Sequence, residues 1–86
     1  MQIGFLHPRS SVCLNADVDP SLTGQQCIDK LIDVDFIERP PSDAPYGLIL
    51  DRTHKEIPGH MTLRDASVQP NDSIAVVQKE HGAKHS

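Results

Sequence analysis

The sequence predicts an α+β domain in which one helix packs on one face of a mixed sheet of four to five strands. Three observations carry that expectation. Short runs near both ends alternate apolar and polar residues with the period of two that belongs to a half-buried strand. One segment between them, about 24–34, changes to the spacing of an amphipathic helix. The whole chain has 86 residues, which is one small domain with a thin core.

The elements follow in order. Ile3 and Phe5 alternate with Gln2 and Gly4, and Val12, Leu14, Ala16 and Val18 alternate with Cys13, Asn15 and Asp17. Between the two runs, His7-Pro8-Arg9-Ser10-Ser11 has turn chemistry, so a hairpin is expected. Asp19 and Pro20 end the second strand. Cys27, Ile28, Leu31 and Ile32 then form one helical stripe, with Gln25, Asp29, Lys30 and Asp33 on the polar face. Thr23 is the expected N-cap, because Gln26 stands three residues later and completes a capping box. Three prolines in the stretch 38–45 remove backbone donors and fix φ, which makes that stretch a loop. Tyr46-Gly47-Leu48-Ile49-Leu50-Asp51 reads as a third strand, Glu56-Ile57 as a two-residue strand, and Ser73 to Gln78 as the last. Leu63 and Val68 are expected to pin a short turn segment before it. No internal repeat and no second domain are visible.

Composition narrows the function. The net charge is −4, and the eight Lys and Arg residues are scattered, which argues against nucleic acid and against an anionic membrane surface. The aromatic residues Phe5, Phe36 and Tyr46 offer no base-stacking platform. No apolar run approaches the roughly 20 residues of a membrane span, and the opening residues MQIGFLHP do not resemble an export signal, so a cytoplasmic protein is expected. Cys13 and Cys27 both lie in apolar-periodic segments and are expected as reduced core thiols. Two cysteines cannot supply the four ligands of an iron–sulfur cluster. Asp51, His54 and Glu56 share a polar connection with no activated nucleophile beside them, and they are expected to be a solvated loop. His81 and His85 have metal-ligand spacing on a helix, but Gly82 between them disfavours the helix. The expectation is therefore no catalysis, no cofactor and no metal.

The element order resembles a β-grasp, and the residues extend the resemblance. MQI at the start, VDPSLT before the helix with Thr23 in the capping position, LIL in the third strand, and TLRDASVQPNDSIAVV at the end all resemble ubiquitin-like proteins. The match runs through residues 1–79 in one register, with small loop insertions near 8–10, 37–45 and 52–60, and leaves 80–86 as a C-terminal tail expected to be flexible. The resemblance implies a docking patch at Ile49, Ala75 and Val77, where the histidine of ubiquitin's Ile–His–Val patch is replaced by Ala75. Alternation supports an outward patch, since Leu48, Leu50, Ile74 and Val76 then face the helix.

The resemblance also places Gly82 and Ala83 where conjugated relatives carry the diglycine that is activated at its carboxylate. Glycine there lets the chain thread a narrow channel without a side chain. Lys84, His85 and Ser86 follow, so a processing peptidase would have to cut after Gly82 or Ala83. The expected function is then a protein modifier or its precursor, a monomer partnered by an activating enzyme, a conjugating enzyme and that peptidase. The alternative is a non-conjugated ubiquitin-like interaction module, such as the accessory proteins of type VII secretion.

Overall fold

A computed structural model describes residues 1–41 and 44–78. The elements run β1 (Gln2–Leu6), β2 (Cys13–Asp17), α1 (Gly24–Asp33), β3 (Tyr46–Leu50), β4 (Lys55–Ile57) and β5 (Ser73–Gln78). They build an α+β fold with one five-stranded mixed sheet in the order β2-β1-β5-β3-β4, an arrangement compatible with a β-grasp. β1 and β5 pair in parallel, and the other three pairings are antiparallel.

The helix starts where its own residues satisfy its first donors. The Gln26 N–H donates to Thr23 Oγ1 (3.2 Å), and the Thr23 N–H donates back to Gln26 Oε1 (2.9 Å). The next two donors reach across the fold: the Gly24 N–H to the Met61 carbonyl and the Gln25 N–H to the Gly59 carbonyl, both at 3.0 Å. This close approach requires Gly24, where a Cβ would stand 3.0 Å from the Pro58 carbonyl oxygen. At the other end, the Asp35 N–H donates to the Ile32 carbonyl and the Phe36 N–H to the Leu31 carbonyl, both at 3.0 Å. Asp35 sits at φ 60°, so the helix closes in a Schellman motif with aspartate in the place where glycine is usual.

The core lies between α1 and one face of the sheet. Ile3 and Phe5 of β1, Leu48 and Leu50 of β3, Ile57 of β4, and Ile74 and Val76 of β5 meet Cys27, Ile28 and Leu31 of the helix. Ile32, expected in the same stripe, is half-buried at its edge. Leu63 and Val68 are buried from a turn segment without regular structure, as their expected pinning role requires. The Leu63 N–H donates to the Leu22 carbonyl at 2.9 Å, which ties that segment to the stretch before the helix. β4 gains one residue, Lys55, over its expected length.

The cysteine expectation needs correction. Cys27 is a buried core thiol, and burial pushes it up to about 11. Cys13 is exposed. Its strand alternates, and position 13 falls with Asn15 and Asp17 on the face away from the helix. The two thiols therefore lie on opposite sides of the sheet.

An ionic clasp holds the far loops. Arg52 donates from Nε to Asp72 Oδ1 (3.2 Å), and from Nη2 to Asp72 Oδ2 (3.1 Å) and the Ser67 carbonyl (3.1 Å). Arg52, and after it the Gln69 N–H, hold the Asp72 carboxyl below its ordinary value of 3.8. A folded-state value depressed below the unfolded one means stability that is present above the unfolded value and lost as pH falls through the folded value. Asp72→Asn is accordingly expected to flatten the acid limb of stability. Urea midpoints followed downward from neutral pH check this, and parallel acid limbs in the two proteins would contradict it.

Candidate functional site

The sheet face opposite the helix carries the candidate site. In the antiparallel β3–β5 ladder Ile49 lies directly opposite Ala75, and Gly47 opposite Val77. In the parallel β1–β5 pairing Leu6 lies beside Ala75. Leu6, Ala75 and Ile49 thus form one row across three neighbouring strands, and Val77 stands two residues further along β5. All four are half-buried, as side chains on an uncovered sheet face are. Gly47 beside Val77 contributes no side chain and is itself buried.

The patch is bounded chemically. Glu56 stands opposite Ile49 on β4. Beyond Val77, Arg9 from the β1–β2 turn donates from Nη2 to Gln78 Oε1 at 3.1 Å, and Gln78 Nε2 donates to the Ala44 carbonyl at 3.0 Å. These bonds fix the end of β5 to two loops. Pro8 and Arg9 line a shallow depression with Val77 and Gln78. On the β2 side, the same face becomes polar, with Gln2, Asn15, Asp17 and Ser73.

Ile49, Ala75 and Val77 were expected from the sequence, and the sheet brings them together. Leu6 was not expected as a member. It continues the outward parity of Gln2 and Gly4 in β1, and its neighbour on β5 follows from a parallel pairing between the two ends of the chain, for which no local signal exists. Cys13, opposite Leu6 on β2, is a second unexpected neighbour of the patch.

The remaining expected positions divide in two. Asp51, His54 and Glu56 are exposed, and the His54 N–H closes the β3–β4 turn on the Leu50 carbonyl at 2.7 Å with φ 58°. Among the described residues no group of three or more His, Cys, Asp or Glu side chains is gathered to hold a metal ion. Gly82, Ala83, His81 and His85, and the expected tail 80–86, lie outside the described residues. Among the described residues no helix is long and apolar enough to cross a membrane. No family model matches the chain, and no curated protein matches it significantly.

Proposed function

We propose that this chain is a ubiquitin-like β-grasp protein without chemistry of its own, which acts by docking protein partners on the outer face of its sheet. The observation that carries the reading is the row Leu6–Ala75–Ile49 with Val77 beside it. A rigid sheet holds these side chains with no rearrangement needed on binding, and a flat apolar centre inside a polar rim is the usual anatomy of a protein interface. The loss of ubiquitin's histidine at Ala75 makes the row more apolar, which favours partners of its own over those of ubiquitin.

A second reading is the conjugated modifier. One geometric fact favours it. β5 ends at Gln78, next to Val77, so an enzyme docked on the patch stands within five residues of Gly82, a chain length of at most about 18 Å. The docking face and the proposed point of activation are therefore close enough to be used by one partner.

One series of variants tests both readings. A protein retained by the immobilised wild-type chain, once purified, should bind Ile49→Ala/Val77→Ala at least about tenfold more weakly, because anchors at an interface centre carry a disproportionate share of its energy. The melting temperature of the double variant should stay close to wild type. Equal affinity would remove the patch from consideration. Gly82→Arg should leave non-covalent binding intact and abolish thioester formation with an activating enzyme. If no thioester forms with the wild-type chain, cut after Gly82 or Ala83, the modifier reading fails and the docking reading stands alone.

A further inference from the structure

The two edges of the sheet differ. β4 is three residues long and carries Lys55 and Glu56, so it is short and charged in the way that protects an edge from pairing. β2 is five residues long, Cys13-Leu14-Asn15-Ala16-Asp17, with no lysine and no proline. Its one charge, Asp17, stands at its end and is paired with the N-terminal ammonium at 2.9 Å.

The direction of its free groups follows from the ladder. The His7 N–H donates to the Val12 carbonyl (2.9 Å) and the Val18 N–H to the Met1 carbonyl (2.8 Å). Antiparallel pairs alternate between bonded and non-bonded, so the even positions of β2 bond to β1. The register Phe5↔Leu14 and Ile3↔Ala16 agrees with this. Cys13, Asn15 and Asp17 therefore turn three N–H and three carbonyl groups away from the molecule. Beside this edge lies a groove of about 380 Å³ against the helix, lined by Leu14, Ala16, Val18, Leu31 and Val34. Of the two exposed large apolar residues among those described, Val34 (64 %) lines the groove and Val12 (58 %) directly precedes β2.

We propose that β2 pairs antiparallel with β2 of a second copy of this chain, about a two-fold axis at Asn15. The strand is complementary to itself in this register. Cys13 faces Asp17 of the other copy, Asn15 faces Asn15, and the three outward residues of each copy supply six interchain hydrogen bonds. On the helix side, Leu14 faces Ala16, a large residue against a small one, and exposed Val12 faces Val18. No like charges stand opposite one another. The groove lining carries Asp17, Lys30 and Asp33, charges of both signs. The contact is isologous and closed, which ends the association at a dimer.

Sedimentation velocity from about 10 μM to about 1 mM tests this, because a dimer is populated by mass action. The wild-type chain should move from monomer to twice the monomer mass. Asn15→Pro removes an N–H that points to solvent, a place where an edge strand accepts proline, so it should keep the wild-type circular dichroism and stay monomeric. Val12→Lys, at an already exposed position, should also stay monomeric and serves should the proline variant fail to fold. A wild-type chain that is monomeric throughout overturns the proposal, even if a different protein is found on this edge. So does a dimer that survives both Asn15→Pro and Val12→Lys.

Discussion

Phe5→Ala is expected to cost about 3–5 kcal/mol, the largest loss of any single side chain in this core. Phe5 is the largest of the fully buried side chains, 1 % exposed. It stands in β1, between Leu14 of β2 and Ile74 of β5, so its loss opens a cavity where both pairings of that strand meet. A domain of this length is typically stable by only about 4–13 kcal/mol, so one such cavity removes a large share of it. The neighbours cannot collapse into the space easily, because β1 is held on both sides by backbone ladders. Phe5→Leu, which keeps most of the volume, should cost far less. Urea unfolding of the three proteins measures the difference. An unchanged midpoint for Phe5→Ala would mean that β1 does not form the centre of the core.

Much of the frame was legible because its signals are local. The capping box needs only Thr23 and Gln26, and the helix begins there. The apolar stripe of α1 and the alternation of β1, β3 and β5 each lie within one short segment, and their buried apolar side chains are those the pattern assigned, while Ile32 of the expected stripe is half-buried and the outer-face glycines Gly4 and Gly47 are buried as well. The failures are also physical. Cys13 was read by its chemical type, although the alternation of its own strand placed it with Asn15 and Asp17. The left-handed residues Asp35, His54, Ser67 and Asn71 carry no glycine to announce them, so the turns they build are not visible in composition. The Arg52–Asp72 clasp joins side chains 20 positions apart, a pairing that no periodicity encodes.

The candidate site divides along the same line. Ile49, Ala75 and Val77 could be named because strand parity and the ubiquitin-like resemblance both point outward at those positions. Their junction with Leu6 depends on the parallel β1–β5 pairing, Leu6↔Ala75, which closes across almost the whole chain. A patch assembled from three strands is a property of the sheet order, and sheet order is set by the core on the other face. The helix selects which residues face inward. The outward row is what parity leaves over.

Leu63→Ala is the test of whether the irregular segment 58–68 belongs to that core. The expected cost is about 2–5 kcal/mol, as for a buried leucine in a helix such as Leu31. Leu63 has no regular secondary structure to hold it, yet it is 0 % exposed. The reason is the backbone around it. Its own N–H reaches the Leu22 carbonyl at 2.9 Å, the Val68 N–H returns to the Leu63 carbonyl at 3.0 Å, and the Arg64 N–H reaches the Pro20 carbonyl at 3.0 Å. Thr62 forms a bridge with Thr23 at the helix N-cap. The side chain is thus pinned between the segment that starts the helix and the turn that leads to β5. Arg64→Ala makes the control, since Arg64 is exposed and the bond it makes here is from its backbone N–H, which the substitution keeps. It should stay within about 0.5 kcal/mol of wild type. If Leu63→Ala is as mild as Arg64→Ala in urea unfolding, the segment is a surface loop, and the helix N-terminus must draw its stability from the Thr23–Gln26 capping box alone.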